Sequence, residues 1–160
     1  MKKIILVLLS ILCLTGCFKR DSMEGINIYT TIYPIEFITN YLYGDYSTIN
    51  SIYPNGVNIQ LEKCEGECNL LYTLTEKQIS DISQTNLFIF NSLLYEGDYV
   101  KPMLENNRNL KIINAADNLT NNEFYGLEEM WLDPSRLLTL ARNIKNGLNQ
   151  YIDNYYLKQE

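Results

Sequence analysis

The chemistry open to this chain is limited first by what it lacks: its 160 residues contain no histidine. Without imidazole there is no Ser-His-Asp or Cys-His triad, no His-based zinc site and no ordinary near-neutral proton shuttle. The groups that remain are four cysteines and a surplus of carboxylates. Cys13 lies inside an apolar run, and Cys17 closes the tetrapeptide Leu14-Thr15-Gly16-Cys17. Cys64 and Cys68 are spaced C-x3-C around Gly66. That spacing suits a small loop disulfide if the loop turns to bring the Cα atoms within ~4.4–6.8 Å, and Gly66 makes the turn easy. A soft metal ion is the alternative, although two thiolates alone are an incomplete zinc shell. The pair Glu128-Glu129 reads as a solvated acidic loop. No nucleophile elbow, phosphate-cradling glycine loop or H-E-x-x-H motif is present. Two adjacent carboxylates cannot flank a sugar as a glycosidase requires, so the chain is not read as an enzyme.

Behind Lys2 and Lys3, residues from Ile4 to Leu14 are almost all apolar. The run falls short of the roughly 20 residues that span a bilayer and has the layout of a secretory signal. Its ending resembles the lipobox of bacterial lipoproteins. That resemblance implies a signal peptide over residues 1–16, acylation of Cys17 as the first mature residue, and a working site at the extracellular face of the cell membrane. Residues 17–25 are polar beyond Phe18 and read as a tether. Without the two signal lysines, 11 basic side chains face 19 acidic ones, a formal charge of −8. Such a chain is poorly suited to nucleic acid, and anionic lipid repels it. Its membrane contact is therefore expected to be the acyl anchor and no basic face.

Residues 26–160 are enough for one domain. Ile26–Thr30 reads as a strand. A helix opens at Tyr33-Pro34, with apolar residues at Ile35, Ile38 and Leu42, and stops at Gly44. Thr48–Tyr53 reads as a second strand, closed by the turn Pro54-Asn55-Gly56. Val57–Leu74 is irregular. Thr75 and Gln78 form a capping box for a short helix. Leu87-Phe88-Ile89-Phe90 suits a strand covered on both faces. Tyr99–Asn106 reads as a helix and Leu110–Ile113 as a strand. Asp133 and Pro134 then cap a helix whose apolar stripe of Leu137, Ala141, Ile144, Leu148, Ile152 and Tyr155 predicts about 23 helical residues. Alternating strands and helices predict an α/β fold with a mainly parallel four-stranded sheet flanked by helices. The thirteen tyrosines read as packing, as does Trp131 at the last helix's start.

Five segments in order resemble the substrate-binding lipoproteins of bacterial zinc and manganese ABC importers. They are Ile28-Tyr29-Thr30-Thr31-Ile32-Tyr33-Pro34, Gly44-Asp45, Ile52-Tyr53-Pro54-Asn55-Gly56-Val57, Leu87-Phe88-Ile89-Phe90-Asn91 with Glu96 beyond, and Trp131-Leu132-Asp133-Pro134. The resemblance implies one lobe of a two-lobed, periplasmic-binding-protein-like fold, with residues 26–130 as the lobe and 131–160 as the long interlobe helix. The second lobe is expected to be absent from this sequence. It implies a monomer that carries a divalent zinc or manganese ion to an ABC permease and its ATPase. The family places one His shortly after the Pro-x-Gly-Val turn and another two residues before the Trp. The second position is Glu129 here, whose anionic oxygen would suit manganese, magnesium or calcium and be acceptable to zinc. The first is Gln60 by strict spacing from the turn, or about Asn69 or Leu70 counting back from Thr75; Cys68 is a further replacement ligand. Loss of both histidines motivates an alternative, a surface adhesin or interaction lipoprotein on the same fold that has lost metal binding.

Overall fold

A computed structural model describes residues 21–54, 72–93, 96–119, 131–155 and 157–158. Four parallel strands form one sheet: β1 (Ile26–Thr30), β2 (Ser47–Ser51), β3 (Leu87–Phe90) and β4 (Lys111–Asn114), in the order β2-β1-β3-β4. Ile28 pairs with Ile49 on one side and Leu87 on the other, while Ile89 pairs with Ile113. Four helices connect and flank them: α1 (Tyr33–Tyr43), α2 (Glu76–Ser83), α3 (Gly97–Asn106) and α4 (Pro134–Tyr151). Right-handed crossovers that leave β1 in opposite directions put helices on opposite faces. Accordingly α1 packs with α4, and α2 packs with α3.

The sequence pattern follows from these positions. All four residues of central β3 are buried, which is why the strand is apolar throughout. Edge strand β2 keeps only partly covered or exposed residues, and its sequence is Ser-Thr-Ile-Asn-Ser. Phe88, Ile28, Leu87 and Ile89 of the sheet, with Ile35, Met103, Leu140 and Ile144 of the helices, are fully buried. Thr75 and Gln78 form the expected capping box at α2.

Boundaries move at four places, the last strand by one residue to Lys111–Asn114. The second strand runs Ser47–Ser51 and leaves Ile52 and Tyr53 beyond it. The helix after β3 begins at Gly97, two residues before the expected start. Helix α4 has 18 residues where about 23 were expected: Ile152 turns to an extended conformation. The amides of Asp153 and Asn154 then donate to Oδ2 of Asp21. Asp21 and Met23 are themselves buried, so part of the segment read from composition as tether is packed beneath the sheet. Gly25 has φ of 71°, a left-handed geometry that favours glycine, and it leads into β1. Gly44 closes α1 in a right-handed conformation. What favours glycine there is space, because a Cβ would collide with the backbone carbonyl and side-chain oxygen of Asn40.

Candidate functional site

In open parallel sheets, a crevice forms outside the carboxyl ends of the strands where successive connections diverge. Here that point lies between β1 and β3, since β2 and β3 flank β1 on opposite sides. Thr31 follows β1, Asn91 follows β3, and Tyr53 lies two residues beyond β2. The turns are fixed by short bonds: Ser51 Oγ donates to the Thr31 carbonyl at 2.9 Å, the Tyr53 amide donates to Ser51 Oγ at 3.1 Å, and the Leu93 amide donates to Asn91 Oδ1 at 3.0 Å. Asn114, at the end of β4, accepts from the amides of Ser92 and Ala116.

Glu96 occupies this edge. It is the residue before α3 and only 1 % exposed. Tyr53 reaches it from β2's side and donates its hydroxyl to Glu96 Oε1 at 3.1 Å. Among the described residues, Glu96 Oε2, Asn91 Nδ2 and Thr31 Oγ1 are buried without a hydrogen-bond partner. Three such atoms at one sheet edge are unusual, because buried polar groups are nearly always paired. Burial pushes the Glu96 carboxyl up to about 8, against the opposing pull of the Tyr53 hydroxyl and its own backbone. The Tyr53 phenol is driven far above its ordinary range, first by burial and then by the Glu96 carboxyl beside it. At neutral pH, then, Tyr53 is a firm donor and Glu96 is mostly a neutral acid.

Cys17, Gln60, Cys64, Cys68, Asn69, Leu70, Glu128 and Glu129 all lie outside the described residues. The residues that flank two of these segments are described. Tyr53 and Tyr72, either side of the first, meet edge to face with ring centroids 5.8 Å apart. The second lies between Leu119, just past β4, and Trp131, just before α4. Asn143 donates to the carbonyls of Ala115 and Asp117, while Tyr151 donates to Ile112 further back along β4. Helix α4 therefore runs from the carboxyl edge, where its first half lies with Leu140 fully buried, back along β4. Asp133 caps its first turn through the Ser135 amide at 2.8 Å. The bonds from Ser135 hold its carboxyl below the usual carboxylate range. Trp131 packs partly buried against the core, as expected. Among the described residues, no three of Cys, Asp and Glu gather to hold a metal ion.

The tyrosine count gave no warning that Tyr53 was special, and Glu96 entered the sequence reading only as part of a matching segment. A signal was present: an acid six residues past an all-apolar strand must sit near that strand's carboxyl end.

A sequence profile of the family described as zinc-uptake complex component A, periplasmic, matches residues 28–154. No curated protein matches in sequence. Among solved structures, the fold is similar to the Zn(II)-bound ZnuA-like domain of AdcA from Streptococcus pneumoniae, with a TM-score of 0.62 and 22 % identity over 84 % of this chain and 47 % of that one. It is also similar to the metal-dependent lipoprotein YcdH from Bacillus subtilis, with a TM-score of 0.64 and 20 % identity over 84 % and 47 %. A zinc-bound deletion mutant of ZnuA gives a TM-score of 0.65 and 19 % identity over 85 % and 51 %. The chain thus spans about half the length of these three structures.

Proposed function

We propose that this chain, which belongs to the family of the periplasmic component A of the zinc-uptake complex, is one lobe of a solute-binding protein for a zinc- or manganese-type ABC importer. Members of that family are solute-binding proteins and not enzymes. The observation that carries the reading is the family match over residues 28–154, laid on a sheet whose carboxyl edge is the departure point of both segments holding the candidate ligands Gln60 and Glu129. Helix α4 starts on the side of that edge, where a second lobe would close over the ion. Closure around a bound ion is the signal that a permease and its ATPase would read. The remaining parts of the reading are that residues 1–16 are a signal peptide, that acylated Cys17 anchors the protein outside the membrane, that Cys64 and Cys68 form a disulfide, and that the lobe works as a monomer with a second lobe these residues do not include.

The donor set predicts weak capture by this lobe alone. Glu129 gives oxygen where relatives give imidazole, Gln60 is a neutral amide, and Cys68 offers a thiolate only where its disulfide with Cys64 is reduced. Titration calorimetry with zinc and with manganese should give dissociation constants of roughly 10 μM or weaker, and Glu129→Ala should remove the heat. Submicromolar binding that survives Glu129→Ala would overturn the ligand assignment. Complete absence of binding would favour a second reading, an interaction or adhesin lipoprotein that keeps the fold. The specific observation behind that reading is the absence of histidine from the whole sequence.

A further inference from the structure

A helix on the outside of a domain ordinarily turns charged side chains to water and apolar ones to the core. Helix α1 departs from that pattern. Its sequence, Tyr-Pro-Ile-Glu-Phe-Ile-Thr-Asn-Tyr-Leu-Tyr, has Glu36 as its one charged side chain, and Glu36 is half-buried. Pro34, Ile35, Ile38, Thr39 and Tyr43 are buried on the inner side. On the outer side Tyr33, Phe37 and Tyr41 are 72 %, 56 % and 83 % exposed, with Asn40 beside them. Residues four apart stand above one another on a helix, so the three rings form a row, and those of Tyr33 and Phe37 lie 6.1 Å apart. Single exposed aromatics are ordinary; a row of three on a face without lysine or arginine marks a contact surface.

The row ends beside the entry of the chain. Helix α1 carries the chain from the carboxyl edge of the sheet back to the amino edge, and Tyr41 lies in its last turn. There the Gly25 amide donates to the Tyr46 carbonyl. Burial first, then the Asp21 and Glu24 carboxyls, push the Tyr43 phenol up to about 12, which places both carboxyls close to the helix's final residue. Asp21 is fixed in turn by the amides of Met23, Asp153 and Asn154. Cys17 stands four residues before Asp21. However they are arranged, four residues span at most about 14 Å. An acyl group on Cys17 therefore holds the last turn of α1 close to the lipid headgroups.

We propose that the outer face of α1 is a lipid-docking surface: Tyr33, Phe37 and Tyr41 enter the headgroup layer of the membrane to which Cys17 is tied, and the lobe rests on that face. The proposal builds on the reading of Cys17 as the acylated anchor. Aromatic rings suit the boundary between acyl chains and water, where a tyrosine buries its ring and keeps its hydroxyl wet. Three rings alone bind weakly, but a short tether gives them a high effective concentration at the surface. Acidic side chains outnumber basic ones in the chain, and α1 has no basic residue, so the face suits zwitterionic headgroups and not anionic ones. Helices α2 and α3, across the sheet, then point away from the bilayer.

The test expresses the protein with its own amino terminus in a bacterium, recovers it from membranes and places it in phosphatidylcholine nanodiscs with a trace of gadolinium-chelate headgroup lipid. Amide protons of α1 should relax roughly threefold faster than those of α3, because a layer of sheet separates the two helices. Equal rates, or faster relaxation in α3, overturn the proposal. Tyr33→Ser/Phe37→Ser/Tyr41→Ser should remove the difference at an unchanged thermal midpoint; a difference that persists in the folded variant overturns it as well. If that variant fails to fold, Tyr41→Ser alone should at least halve the difference, and no change overturns the proposal. Mass spectrometry of the chain separates docking from anchoring. A Cys17 without acyl groups refutes the anchor alone. The unacylated chain is then mixed with excess discs, where faster relaxation confined to α1 supports docking and its absence overturns it. Without lipid, α1 resonance shifts that grow with protein concentration and vanish in the triple variant would assign the row to a second copy of the chain, which also overturns the proposal.

Discussion

The two ends of the sheet each bury a carboxyl group, and they treat it in opposite ways. At the amino end, Asp21 is 8 % exposed. Its Oδ1 accepts from the Met23 amide at 2.8 Å, and its Oδ2 accepts from the amides of Asp153 and Asn154. At the carboxyl end, Glu96 is buried more deeply and has one phenol as a side-chain partner. Backbone amides that have left a helix or not yet joined a strand are fixed donors, and three of them replace hydration well. Around Glu96 the described residues supply the Tyr53 phenol and its own backbone, and Oε2 of Glu96 keeps no partner, as do polar atoms of Thr31 and Asn91. One end is built as a joint between the start of the lobe and the close of α4. The other stores unsatisfied polarity where ligand sites of open sheets form.

The contrast can be broken most forcefully at the joint. Asp21→Ala removes the acceptor of three amides in a buried place, and should cost about 3 kcal/mol of folding stability, read as a lower urea midpoint at unchanged slope. A loss below about 0.5 kcal/mol, the range of ordinary surface changes, would mean that the joint carries no weight and that the two edges are alike. Tyr53→Phe tests the other end, with a smaller effect. Deleting one hydrogen bond to a largely neutral acid should cost about 1 kcal/mol. The Tyr53 bond pulls the Glu96 value down, so its loss should move the Glu96 titration further up. A downward move would show that Tyr53 supports the neutral acid and not its anion.

The residues explain why much of the fold was legible in advance and the site was not. Leu87–Phe90, Thr75 with Gln78, and Asp133 with Pro134 carry local signals that act within a few residues, and each element formed where expected. Helix α4 was overestimated because its apolar stripe continues through Ile152 and Tyr155, while what stops it is Asp21, more than 130 residues away in sequence. Periodicity contains no such information. Glu96 illustrates the same limit. Its burial and its bond to Tyr53, 43 residues away, arise only when β2, β1 and β3 lie side by side. The family resemblance marked the segments that hold candidate ligands, but a spacing rule pointing to a missing histidine names a place and no chemistry.

The finest test of the contrast is Thr31→Val. The two side chains have nearly the same shape, and the Thr31 hydroxyl is fully buried and unpartnered among the described residues. Removing a polar atom that makes no bond avoids its desolvation penalty, so the variant should be unchanged or more stable by up to about 1 kcal/mol. At the Asp21 joint, the same kind of polar deletion should only weaken the fold. A protein keeps an unpaired hydroxyl in its interior when something beyond folding uses it. Thermal unfolding and the zinc titration on Thr31→Val therefore belong together. Gained stability with lost metal heat would assign the hydroxyl to the binding edge. Lost stability would show that Thr31 has a structural partner, and would narrow the difference between the two ends to Glu96 and Asn91.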